Sequence, residues 1–170
     1  MWGLASVAGE AAEADLLAVV AARAGIGEDT LLDGLREAVA QQLVLTEAAG
    51  ERYVFRHALV REAVYQHILL GERRRLHACM AEVLQERHRD GHDARVLAEL
   101  AHHWYAARDD YRALAAAVTA GRAAVMAFAP AEGVRQFERA IALWDRCRTS
   151  VPGHRGNGWT CSAPPRRPPI

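Results

Sequence analysis

Histidine is the residue type that could do most chemistry here: the chain has eight, together with three cysteines. A structural zinc site needs about four converging nitrogen or sulfur ligands. His88 and His92 stand four apart, but Gly91 lies between them and no acidic residue is placed as in an HExxH helix. His102 and His103 are adjacent, so on a helix they point about 100° apart. His77 and Cys79 are too close in sequence to meet over one ion on a helix. Surface or packing histidines and no metal site are therefore expected. Cys79, Cys147 and Cys161 form no CxxC pair. Such an odd, scattered set argues against a disulfide framework and suits a reducing compartment.

Nucleophilic and nucleotide chemistry find no support in the residues. There is no GxSxG, and Cys79 falls on the inward face of a predicted helix, where a thiol is core and not nucleophile. A P-loop needs a lysine, and all 21 basic residues are arginine. The chain is expected to be no enzyme and to hold no cofactor by itself. The basic run Arg73-Arg74-Arg75 reads as a solvated helix face that could meet a partner. Trp104, Tyr105 and Tyr111 would be aromatic anchors if exposed, and core residues if not.

These groups need elements to position them, and the composition allows it. A hydrophobic fraction of 51% and a charged fraction of 25% are globular values. The net charge of zero gives no global pull toward nucleic acid or anionic membrane. Met1 to Ala24 is Ala-rich, but it lacks a basic leader and is broken by Glu10, Glu13 and Asp15. No run of about 18 apolar residues occurs, so no membrane span is expected, and the cytoplasm is the expected location.

Ala11 to Ala24 reads as a helix ended by Gly25. Thr30 to Asp33 has the form of a capping box, opening a second helix with Leu31, Leu35, Val39 and Leu43 on one face as far as about Gln42. Leu43 to Thr46 and Arg52 to Phe55 read as a hairpin. Two helices and a hairpin is the order of a winged helix. Its groove-entering helix, however, offers only Arg36, Gln41 and Gln42 as base readers, which argues against direct DNA binding. His57 to Leu70 is helical with Leu59, Ala63, Val64 and Ile68 inward, and Gly71 breaks it. Glu72 to His88 follows, with Leu76, Met80, Val83 and Leu84 inward.

From Asp93 the pattern becomes helices of similar length. Leu97, Leu100, Ala101, Trp104 and Tyr105 mark one, and Tyr111, Leu114, Val118, Gly121 and Val125 the next. Val134, Phe137, Ile141 and Trp144 mark a third, opened by Pro130. Gly133-x3-Phe137-x2-Ala140 has the small–aromatic–Ala spacing of a tetratricopeptide second helix. The fold expected is mainly α: a winged-helix module with connecting helix over 1–90, then tetratricopeptide-like antiparallel helices over 93–147. Residues 148–170, rich in Pro, Arg and Gly, are expected to be disordered.

The block FRHALVREAVY, 55–65, followed by LLGERRRLHACMAEVL, 69–84, resembles the region after the ATPase core in bacterial STAND-type regulators. These are large LuxR-family and related activators, common in actinobacteria, with a P-loop ATPase, a winged helix and tetratricopeptide-like repeats. AELAHHWYAARDDYRALAAAVTAGRAA and AEGVRQFERAIALW have the same look. The resemblance implies that this chain is a non-catalytic arm, and a fragment, of such a transcriptional regulator. It implies that His57 senses the β-phosphate of ADP, with ATP or ADP bound by the ATPase domain of an intact parent. Arg56 and Ala58 depart from the family's Met-His-Asp pattern on either side of that histidine. Two other readings stay open: a free-standing helical scaffold for protein partners, and a small winged-helix DNA binder.

Overall fold

The computed structural model describes residues 2–47, 50–89, 91 and 93–149. Among them the chain is mainly helical, with one small antiparallel sheet near its start. The N-terminal half runs α1 (Trp2–Ala8), β1 (Ala11–Glu13), α2 (Ala14–Arg23), α3 (Glu28–Ala40), β2 (Val44–Glu47), β3 (Arg52–Phe55) and α4 (Ala58–His67). Then come α5 (Leu70–Arg87), α6 (Ala94–Ala107), α7 (Asp110–Met126) and α8 (Pro130–Thr149).

The sheet is the hairpin expected from the sequence plus one strand that it did not announce. β3 lies between β2 and β1, with Ala11 opposite Val54 and Ala12 opposite Tyr53. The start of the helix expected over Ala11 to Ala24 is therefore extended. Ala-Ala-Glu has little strand propensity, so the ladder, which Phe55 N–H extends to the Glu10 carbonyl at 2.9 Å, decides its conformation. α2 buries Leu17, Val20 and Ala21. α3 begins at Glu28, before Thr30, and its N-cap Gly27 supplies no side-chain bond, so the capping box is not formed. Its inward face is Leu31, Leu35 and Ala38, with Val39 at the surface. A strict four-residue spacing rotates off the face of a 3.6-residue helix, and the seventh position wins over the eighth.

α4 differs from expectation more sharply. None of its residues is fully buried, and Leu59 is 84% exposed. Val60, Arg61, Val64 and Tyr65 form its half-buried side, against α1. The break after α4 is made by Ile68 and Leu69, both extended, and Gly71 lies inside the first turn of α5.

α5 carries the fold. Leu76, Cys79, Met80, Val83 and Leu84 join Leu4, Leu17, Val20, Leu31 and Leu35 in one core. Its Ala81 joins Ala101, Trp104, Ala117, Ala120 and Leu143 in a second core among α6, α7 and α8. Burial pushes the Cys79 thiol above its ordinary value, which keeps it an inert core group.

The helical array is packed through small residues. Asp93 and Asp109 cap α6 and α7 by accepting the N–H groups of Arg95 (2.8 Å) and Arg112 (3.0 Å). α7 turns Ala113, Ala117, Ala120, Gly121 and Ala124 inward and leaves Tyr111 and Val125 outside. α8 answers with Gly133, Phe137, Ala140 and Leu143, while Val134 and Ile141 face outward. Gly133, Phe137 and Ala140 thus share the packed face of α8, with Phe137 against Gly121. α8 runs to Thr149, so residues 148 and 149 are helical; residues 150–170, on which the rest of the expected disordered tail falls, lie outside the described residues, as does His92.

Candidate functional site

His57 is the N-cap residue of α4. Its backbone is extended, its carbonyl accepts from Val60 N–H at 3.0 Å, and its exposed side chain makes no capping bond. The arginine run is divided by role. Arg73 lies over the Tyr65 ring at 4.3 Å and donates to the Ile68 carbonyl at 3.3 Å, where α4 ends. Arg75 donates to the Ala24 carbonyl at the end of α2. Both serve the orphan carbonyls of helix C-termini, where a cation is also favoured by the helix dipole. Arg74 is exposed. Of the aromatic trio, Trp104 is core at 2% exposure, with Arg112 stacked 4.6 Å over its ring, whereas Tyr105 and Tyr111 reach solvent. The residues proposed for DNA reading are engaged locally: Arg36 with Asp33 at 2.7 Å, Gln41 with Glu37 at 3.1 Å, and Gln42 with Arg56 at 2.8 Å.

Antiparallel packing of α5, α6 and α7 leaves a groove between α5 and α7, floored by α6. One reach of about 800 Å³ is lined by Leu84, Val96, Leu97, Leu100, Ala123 and Met126, among others. An adjoining reach of about 640 Å³ runs on to Tyr111. Leu97, Leu100, Thr119, Gln85, Glu86 and Arg89 line both, so the two are one trough. Its α5 wall carries a fork: Arg23 donates to both oxygens of Glu86, at 2.9 and 2.8 Å, and holds that carboxyl below the usual carboxylate range. Arg112 reaches Glu82 at 3.6 Å. Arg89 and Arg122, both exposed on the trough, enter no ion pair among the described residues. Nothing in the sequence pattern pointed to this trough, because it is a property of the space between helices and not of any one face.

A second polar feature lies at the junction of the two cores. His77 and His103, exposed by 1% and 2%, meet through their Nδ1 atoms at 2.8 Å. The Tyr65 hydroxyl lies 2.9 Å from His77 Nε2, and the Glu99 carboxylate lies 3.9 Å from His103 Nε2. That carboxylate favours a proton on His103 Nε2, leaving His103 Nδ1 to accept from His77 Nδ1–H and His77 Nε2 to accept from Tyr65. The relay is satisfied with both imidazoles neutral. Burial, with His103, His102 and Arg73 nearby, lowers the His77 pKa to about 3. The pair joins α5 to α6 across 26 residues of sequence, which is why no local spacing revealed it. Two nitrogens 2.8 Å apart share a proton; an ion would need about 2.0 Å to each. Among the described residues, no group of three or more His, Cys, Asp or Glu side chains converges to hold a metal.

No helix among the described residues is long and apolar enough to cross a membrane. Comparison with protein-family models, with curated proteins and with solved structures finds no match.

Proposed function

We propose that this chain is a protein-interaction scaffold whose α5–α6–α7 trough takes a segment of a partner protein. The observation that supports this best is the trough itself: a continuous, apolar-floored channel within the size range of ligand sites, formed by stacked helices. Stacked helical hairpins commonly present such concave surfaces to peptides. Thr119 is the natural place to test it, being exposed and lining both reaches. Peptides enriched from a random-peptide display library on the full chain should bind Thr119→Trp roughly tenfold more weakly, about 1.4 kcal/mol. The thermal midpoint should be unchanged. Peptides that bind the variant equally well would put the site elsewhere and remove this reading.

A second reading has its own support. His57 and Leu59, the latter 84% exposed, stand at the N-terminal edge of α4, which has no fully buried residue, and Leu69 and Leu70, 75% and 60% exposed, follow its other end. An apolar, histidine-bearing edge of this kind suits docking on a STAND-type ATPase domain, with His57 against the ADP β-phosphate as the resemblance implies. In that reading the helices relay the nucleotide state to further partners. A STAND-type ATPase domain supplied in trans should bind this chain more tightly with ADP than without, and His57→Ala should abolish the difference. Equal binding with and without nucleotide would sink it.

A further inference from the structure

We infer that the segment held in the trough is an acidic amphipathic helix, with carboxylates flanking an apolar stripe. This deepens the scaffold reading and rests on it. The floor calls for apolar residues: Val96, Leu97 and Leu100 of α6 lie along it, with Leu84 and Met126 on the walls beside them. Its charge is more selective. Among the described residues, the two reaches are lined by Arg23, Arg89, Arg112 and Arg122 against Glu82 and Glu86, a net +2 there on a chain whose formal net charge is zero. Arg23 and Arg112 are already paired with Glu86 and Glu82. The surplus therefore rests on Arg89, two residues past the end of α5 and within electrostatic reach of Glu86, and on Arg122, on α7.

Arg89 follows the α5 wall and Arg122 stands on the α7 wall, and both line the same reach of the trough. A ligand that satisfies both needs carboxylates on the two sides of its apolar stripe. An amphipathic helix with Leu or Phe at i and i+4, bordered by Asp or Glu, presents that arrangement. Guanidinium binds carboxylate in a planar fork, and the apolar floor excludes the water that would screen the pair. A basic segment would meet Arg89 and Arg122 as like charges. Nucleic acid could satisfy the arginines, but it has no apolar side chains for the floor.

A random-peptide display library panned on the full chain should yield peptides with Asp or Glu beside apolar residues at helical spacing. The R89E/R122E chain changes two exposed residues that enter no ion pair among the described residues, so it should keep the wild-type melting curve. It should bind the acidic peptides at least roughly tenfold more weakly and enrich Lys- or Arg-bearing ones instead. Enriched peptides without charge bias, still lost in Thr119→Trp but indifferent to R89E/R122E, would overturn the acidic partner and leave the scaffold intact. Competition by duplex DNA at least as effective as by the peptide would assign the arginines to phosphate and overturn it too. Peptides indifferent to Thr119→Trp, or no enrichment, would overturn the scaffold reading itself.

Discussion

Acidification will destabilise this protein at about 1.4 kcal/mol per pH unit through His77 alone, across the window from about pH 6.5 to about pH 3. The sign follows from which state holds the proton. An unfolded histidine protonates below about pH 6.5, whereas folded His77 stays neutral until about pH 3. Unfolding therefore takes up a proton between those values, and stability falls as pH falls. Geometry gives the same direction. His77 Nδ1 and His103 Nδ1 are 2.8 Å apart, so two protonated rings would set one N–H against another. The groups facing the pair are Tyr65 from α4, Arg73 from α5, and His102 and Glu99 from α6, and only Glu99 is an anion. Over the whole window the loss is on the order of 5 kcal/mol, comparable to the total stability of an ordinary domain.

Urea denaturation at pH 7.5 and pH 5 would measure it. The paired replacement His77→Phe/His103→Leu should flatten the slope by one proton at a modest cost at pH 7.5, since the two imidazoles leave together and only the half-buried Tyr65 hydroxyl loses its acceptor. His103→Leu alone should cost about 1–3 kcal/mol at pH 7.5, because His77 Nδ1 is left buried without a partner. A wild-type slope retained in the paired variant would show that other groups carry the acid sensitivity.

The second large effect is expected at Gly121. In the middle of an exposed helix, Gly to Ala usually gains roughly 0.5–1 kcal/mol. Here an added Cβ would lie 2.7 to 2.9 Å from three ring carbons of Phe137. Real Cβ atoms do not approach carbon so closely, so α7 and α8 must separate or the ring must leave its position. Overpacking of this kind costs about 1–3 kcal/mol, which outweighs the helix gain. Gly121→Ala should lower the urea midpoint, and Gly121→Val should lower it further. Phe137→Leu should recover part of the loss in the Gly121→Ala background while costing stability on its own, a coupling that a double-mutant cycle reads directly. A higher midpoint for Gly121→Ala would mean that this glycine does not set the α7–α8 spacing.

What the sequence made legible were the features written in a single element. Leu76, Met80, Val83 and Leu84 share one face of α5, and all four are buried. Pro130 opens α8 because its fixed φ and missing N–H suit a first helical turn. The hairpin followed from alternation around a turn. Features that depend on a partner were hidden. β1 is a strand only because β3 is beside it. Leu59 and Ile141 keep helical spacing with apolar neighbours yet stand in solvent, because α4 and α8 pack through other faces. In α7 the contact surface is Ala and Gly, whose worth lies in close approach and not in hydrophobicity: Ala113, Ala117 and Ala120, legible by their spacing, are buried with Gly121, while the large apolar Tyr111 and Val125 stand outside. Arg73 and Arg75 read as a solvated run because nothing in the sequence shows that helix ends lie within their reach.

The helix that both cores share makes the two halves of the molecule thermodynamic partners. Met80 and Ala81 are neighbours in sequence, yet one is sealed into the core of the N-terminal half and the other into that of the helical array. Neither half can loosen α5 without exposing the other's interior. A ligand that steadies α5 from the trough side therefore steadies the N-terminal half as well, and any such coupling is the same free energy in each direction. Two distant surfaces joined by a single rod need no moving parts to inform one another.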